Sequence, residues 1–259
     1  MEALTTRQVN NFIKDGFVKI ADAFPAAVAD ECRAILWKAA QCDSFDSTTW
    51  KQPVIRIGEL GLEPFKNAAN THILHNAFDQ LAGKGKWLPR TTLGSFPIRF
   101  PNKALATDKG WHVDASFPGD DVNNYLEWRI NIHSKGRALL MLFLFSDVDE
   151  EDAPTIIKKD SHMDVARILA PEGESGLSFF GLAQQLDTLP VREEVLATGK
   201  AGTVYLCHPF IVHAAQNHLG ILPKFMAQPP LLTKYDFNIY RTDTPLCPVE
   251  EAILTALES

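Results

Sequence analysis

Cysteine is scarce in this chain. Cys32, Cys42, Cys207 and Cys247 are its four cysteines, and no two form a C-x-x-C pair. Four scattered thiols are expected to stay free, in a reducing compartment. Long apolar runs are missing too. The most apolar stretch, Ala138 to Phe145, has eight residues, whereas a membrane-spanning helix needs about 20. It reads instead as a strand buried on both faces. No basic cluster exceeds Lys158-Lys159, and the formal charge is −7, so nucleic acid is excluded as a natural partner. Met1 to Thr6 shows neither the basic nor the apolar region of a secretory signal. There is no internal repeat. The expectation is a soluble, cytoplasmic protein that does not bind membranes.

What is present describes an ordinary globular chain of 259 residues, 46% hydrophobic and 22% charged, long enough for a substantial core. Thr5-x-x-Gln8 resembles a capping box, followed by Val9, Phe12 and Ile13 at helical spacing. Gly16 should end that helix, with Phe17 to Ile20 as a short strand. Pro25 opens a second helix with Val28, Cys32, Ile35, Leu36 and Ala39 on one stripe. Residues 41–52 read as a loop, and Val54 to Ile57 as a strand with Arg56 facing away from its neighbours. Residues 65–85 read as mixed helix, where His72 and His75 lie on a solvated face. Strand patterns then crowd together at 91–100, 111–117, 128–133, 138–145 and 155–158, with Ser134 to Arg137 suiting a tight hairpin. Residues 161–200 revert to helix and loop. Strands return at 203–214 and 225–232, and Pro248 opens a final amphipathic helix. This order predicts an antiparallel, double-sheet, mainly β structure with helices packed outside.

The chemistry concentrates in Gly110 to Phe117. On a strand, His112 and Asp114 share a face and supply an imidazole and a carboxylate to a divalent metal. His-x-Asp alone is weak, since a chain of this composition yields about 0.6 copies by chance. A second copy, His162-Met163-Asp164, opens a helical stretch, where residues two apart diverge. Asp164 is there expected at the third position of a helix capped by Ser161. For a third ligand the late strands offer His208, His213 and His218. His208 and His213 are an odd number of residues apart, so on one strand they face opposite ways.

The order His-x-Asp, roughly a hundred residues, then His and a basic residue eleven later resembles the phytanoyl-CoA dioxygenase family. Here His213 is followed by Lys224, while the same offset from His208 or His218 reaches Leu219 or Pro229. The likeness extends over Leu4 to Val18, Ala138 to Val148, Asp152 to Thr155, Ser161-His162 and Cys207 to Pro230, and so spans roughly the whole chain. It implies a double-stranded β-helix, a cupin-like jelly roll, in a single domain over 1–259. Residues 1–90 would form its N-terminal elaboration of helices and strands, the helices packed on one sheet. The core would run from 91 to 235 with a helical insertion at about 161–200, and 236–259 would follow as a C-terminal segment.

The resemblance further implies an iron(II)- and 2-oxoglutarate-dependent dioxygenase that hydroxylates a small organic substrate. His112, Asp114 and His213 would be the iron ligands. A two-His, one-carboxylate set leaves three positions open, suited to 2-oxoglutarate and O2. Oxidative decarboxylation to succinate and CO2 would then arm the iron to remove hydrogen from the substrate. Lys224 stands where the family usually has the arginine that holds the distal carboxylate. It keeps the charge without the planar fork. Ala215 replaces a family hydroxyl, and Arg56 is a second candidate contact to the cosubstrate. Trp111, Phe117, Asn124, Trp128 and Arg129, with Arg99 and Arg137, are candidates for the pocket lining or for plain core. His133 and His162 read as structural. A metal- or small-ligand-binding protein on the same fold, without oxidation, is the alternative. A hydrolase would need a water-activating base that the sequence does not show, and a halogenase would need the carboxylate position empty.

Overall fold

The computed structural model describes residues 2–102 and 107–259. The chain opens with α1 (Thr6–Asp15), β1 (Phe17–Ile20), α2 (Ala26–Ala40), β2 (Val54–Ile57), α3 (Glu63–Ala69) and α4 (His72–Phe78). Short strands follow: β3 (Trp87–Leu88), β4 (Phe96–Arg99), β5 (Arg129–Ile130), β6 (Arg137–Leu144) and β7 (Ile156–Lys158). Then come α5 (Ser161–Leu169), β8 (Leu177–Ser178), α6 (Phe179–Ala183), β9 (Glu194–Leu196) and β10 (Val204–Cys207). β11 (His213–Ala214), β12 (Met226–Ala227), β13 (Pro230–Thr233) and α7 (Pro248–Glu258) complete it. None of the described helices is long and apolar enough to cross a membrane.

The N-terminus folds as its residues dictate. Thr5 Oγ1 accepts from the Gln8 backbone N–H, and Gln8 Oε1 accepts from that of Thr5 at 2.9 Å, the capping box expected. Gly16 ends α1 at φ 85°, a left-handed conformation natural to glycine. Pro25 lies one position before the second helix, as its N-cap.

All the sheets are antiparallel. The larger runs β1-β10-β6-β13-β3, with β12 also on β6, and the smaller runs β11-β7-β9. β6 is buried along its whole length because alternate side chains serve two cores. Leu139, Met141 and Phe143 pack with Phe12, Cys32 and Leu36 of the helices. Leu140, Leu142 and Leu144 meet Ile157, Ala197 and Met226, between the two sheets. That explains the unbroken apolar run: neither face of the strand meets water. Each such side chain contributes about 1.5–3 kcal/mol by its burial.

Four expectations need correction. Trp111 to Phe117 is no continuous strand: only His112 and Phe117 form bridges, to His213 and Arg129, because the segment passes between two different partners. The turn at Ser134 exists, with Arg137 N–H donating to Ser134 O at 3.0 Å. Yet it makes no hairpin, since β5 pairs with β8 and β6 is central in the larger sheet. Residues 161–200 also hold β8 and β9, too short to carry an alternating pattern. Finally, Asp160, not Ser161, is the N-cap of α5. Ser161 Oγ donates to Lys158 O at 2.7 Å and accepts from Val212 N at 2.9 Å. Asp164 is gripped by Arg192 through two bonds of 2.8 and 2.7 Å.

Candidate metal centre

His213 opens β11, and its backbone exchanges two 3.0 Å hydrogen bonds with His112. This single bridge brings together side chains far apart in sequence. The imidazole centroids of His112 and His213 are 4.3 Å apart. Asp114 Oδ1 lies 3.6 Å from His112 Nε2 and 3.8 Å from His213 Nε2. One ligand atom from each of the three falls within 4.8 Å of the others, the one such cluster among the described residues.

The donors suit a divalent cation. His112 Nδ1 faces Gly110 O at 2.9 Å and His213 Nδ1 faces Ile211 O at 3.2 Å. A carbonyl only accepts, so each Nδ1 carries the proton and each Nε2 offers a lone pair. With metal–ligand distances near 2.1 Å, adjacent ligand atoms stand about 3 Å apart, so Asp114 Oδ1 would close on His112 Nε2 and His213 Nε2 from the present 3.6 and 3.8 Å. The Gln228 side-chain amide now lies 2.8 Å from His213 Nε2, at the same lone pair.

Electrostatics favour an ionised carboxylate beside a neutral His213. Burial alone would raise the Asp114 carboxyl, but Arg137 and the two histidines outweigh it and hold it well below its ordinary range. Arg137 Nη1 donates to Asp114 Oδ2 at 2.9 Å and Nη2 to Ala115 O at 2.9 Å. Oδ2 is thereby occupied and Oδ1 is left facing the histidines. Burial, then the neighbouring His112, pushes His213 down to about 4, so it is neutral at pH 7.

The three residues border a cavity of about 1100 Å³. Arg99 and Lys224 also line it, paired across β4 by backbone bonds of 3.0 and 2.8 Å. Lys224 is 2% exposed and its Nζ donates to Ala153 O. Burial, then Arg99, holds its pKa well below the usual lysine range. Arg99 Nη2 is bound to Asp108 Oδ2 at 2.8 Å, and Arg56 shares that carboxylate. Among the described residues no carboxylate oxygen lies within ion-pair distance of Lys224, so of this cationic group it is the one without such a partner.

Other sequence candidates sort cleanly. Trp111 and Trp128 line the cavity, as does Arg56. Phe117 packs under Lys135, Asn124 caps the 3-10 turn Tyr125–Glu127, and Arg129 grips the carbonyls of Ser175 and Gly176. His208 lies just past the end of β10, whereas His213 opens β11; His208 is bound to Val249 O at 3.2 Å, on the helix side. His133 and His162 are structural, bonded to Phe237 O and Ile13 O at 3.0 Å each. His75 is half-buried rather than on a solvated face: it meets Trp87 edge-on, ring centroids 4.8 Å apart. Sequence reasoning missed Gln228, Tyr125 and Phe179. The proximity of Tyr125 to Trp128 was the one usable signal.

No family model matches the chain, and no curated relative does. Solved structures do. The non-haem alpha-ketoglutarate-dependent epimerase SnoN of nogalamycin biosynthesis is 18% identical over 86% of this chain and 80% of that one, with a TM-score of 0.56. The fold is one that non-haem 2-oxoglutarate-dependent enzymes use. The carbocyclase SnoK of the same biosynthesis matches 90% of this chain and 86% of its own at 13% identity, TM-score 0.57. HygX from Streptomyces hygroscopicus, solved with nickel and 2-oxoglutarate bound, matches 87% and 85% at 18% identity, TM-score 0.55.

Proposed function

We propose that this protein is an iron(II)- and 2-oxoglutarate-dependent dioxygenase of the phytanoyl-CoA dioxygenase type, hydroxylating a small organic molecule. Its facing sheets are read as one double-stranded β-helix domain, in the cytoplasm, where four free cysteines belong. The observation that carries the reading is the convergence of two Nε2 lone pairs and one carboxylate oxygen on a cavity that also holds Lys224.

His112, Asp114 and His213 would hold iron on one side only, leaving positions open towards the cavity. Bound iron would supply dioxygen activation coupled to oxidative decarboxylation of 2-oxoglutarate to succinate and CO2. The chain's own residues do the positioning. Lys224, with no carboxylate partner among the described residues, would take the distal carboxylate of 2-oxoglutarate. Arg99 and Arg56 both pair with Asp108; Arg56, the more exposed of the two, would exchange that partner for the cosubstrate as a second cation nearer the rim. A carboxylate on Lys224 favours its charged form, against the burial that depresses it. Arg137 keeps Asp114 ionised and aimed.

The test is succinate formation under air with iron(II) and 2-oxoglutarate, with and without candidate substrates. Iron-dependent succinate that disappears in His213→Ala is expected; none under any condition would sink the oxygenase. Ala215, which lines the cavity without a hydroxyl, favours a second reading, a metal and small-ligand binder that does no oxidation. That reading predicts metal binding with no succinate.

A further inference from the structure

One wall of the cavity is aromatic, and it begins at a proposed iron ligand. Phe179 lies 5.7 Å from His112 between ring centroids, Tyr125 5.7 Å from Phe179, and Trp128 5.6 Å from Tyr125. All four rings line the cavity, so one continuous surface runs outward from the metal ligands. It is open to solvent at Tyr125, 43% exposed, and Leu126, 47%, while the Tyr125 hydroxyl turns inward to Arg137 and Ala115. Contiguous apolar surface left open beside a cavity marks a place where something binds.

This wall is built before any ligand arrives. Tyr125 and Trp128 come from one segment and Phe179 from another, distant in sequence, and backbone bonds lock the two together. β5 pairs with β8, Phe179 N–H donates to Trp128 O at 2.7 Å, and the Trp128 indole N–H donates to Val122 O at 2.9 Å. Ser178 Oγ caps α6 by accepting from Gly181 N at 3.0 Å. Rings fixed in this way lose little entropy on binding.

A second stretch of the lining is polar. Arg90 Nη2 donates to Glu59 Oε1 at 3.0 Å and to Thr92 Oγ1 at 3.3 Å, and Thr92 Oγ1 donates to Glu59 Oε2 at 2.8 Å. These groups present both donors and acceptors to the same space. The volume of about 1100 Å³ stands just above the roughly 300–1,000 Å³ that buries a drug-sized ligand. 2-Oxoglutarate, with ten heavy atoms, fills a small part of it.

We propose that Phe179, Tyr125 and Trp128 form the substrate subsite, which takes a planar, multi-ring molecule bearing hydroxyl or carboxylate groups on one edge. The three rings are tilted 48° and 39° to their neighbours, so the planar ligand meets the wall through a mixture of offset-stacked and edge-to-face contacts and its polar edge meets Arg90, Glu59 and Thr92. The inference rests on the oxygenase reading only in calling this ligand the substrate; the subsite itself is tested without turnover.

The probes are 2-naphthoate and its saturated, non-planar counterpart decahydro-2-naphthoate. Each is titrated calorimetrically into protein holding zinc(II), which is redox-silent, and saturating 2-oxoglutarate, which keeps the probe carboxylate off Lys224. 2-Naphthoate is expected to bind at least about tenfold more tightly than the saturated acid, as aromatic pairing predicts. Phe179→Ala and Tyr125→Ala should each weaken it about tenfold, while Tyr125→Phe keeps the wild-type affinity. Tyr125 belongs to neither apolar core, so its variants are expected to fold whatever the outcome at Phe179. Equal affinities for the two probes, or Tyr125→Ala and Phe179→Ala binding 2-naphthoate as the wild type does, would overturn the proposal. The iron(II)–2-oxoglutarate absorption band, recorded on the same variants, separates the two readings: a band without probe discrimination removes the subsite and leaves the centre standing.

Discussion

Arg137 spends its guanidinium on one task, bonding Asp114 Oδ2 and Ala115 O while only 6% exposed. Such partners orient metal ligands, and losing one costs 10- to 100-fold in affinity. Arg137→Gln is therefore expected to weaken zinc(II) binding by about that factor in a calorimetric titration, with Arg137→Lys between it and the wild type. Unchanged affinity would mean that Asp114 needs no support. Lys224 acts elsewhere. Lys224→Met should raise the 2-oxoglutarate concentration needed for half-saturation roughly 10- to 100-fold, since a charged hydrogen bond is worth about 1.5–3 kcal/mol, and leave zinc(II) affinity unchanged. Equal loss of both would show that the lysine supports the metal site instead. At this scale the sequence was legible where chemistry imposes spacing. His112 and Asp114 are two apart, and His213 was found through the cation that follows it. Arg137, Gln228 and Phe179 obey no spacing rule, because their proximity is made by sheet pairing alone.

Elements decide how the two halves of the aromatic wall meet. Gly176 adopts φ 56°, and a Cβ there would stand 2.0 Å from Ile130 O. Only glycine lets the chain turn back closely enough for β8 to pair with β5. Gly176→Ala is expected to cost on the order of 2 kcal/mol in urea unfolding and to weaken 2-naphthoate binding, with zinc(II) affinity retained. A variant as stable as the wild type would place the brace elsewhere. The long, doubly buried β6 and the capped α1 were readable because each is a run of local preferences. β8, β9 and the pairing of β5 were not: two or three residues carry no period, and the tight turn at Ser134 suggested a neighbour for β6 that the sheets do not use.

Across the whole molecule, buried histidines tie stability to pH. His162 is held down to about 4 by burial, against an ordinary value of 6.5; burial, then His162, depresses His208 as well. The unfolded chain takes up these protons near pH 6.5, while folded His162 stays neutral until about 4. Stability is therefore full above pH 6.5, falls as pH drops through that window, and levels off below it. His162 alone accounts for on the order of 3 kcal/mol. Urea midpoints should drop between pH 7 and pH 5, with a shallower slope in His162→Gln; an identical slope in the variant would remove His162 from this account.

The central claim is that His112, Asp114 and His213 hold iron in a way that leaves room for 2-oxoglutarate. It is tested most directly by adding iron(II) and then 2-oxoglutarate to the protein without oxygen and recording the visible spectrum. A metal-to-ligand charge-transfer band should appear, requiring both additions, and should be lost in Asp114→Ala. No band in the wild type, or an undiminished band in that variant, would contradict the account.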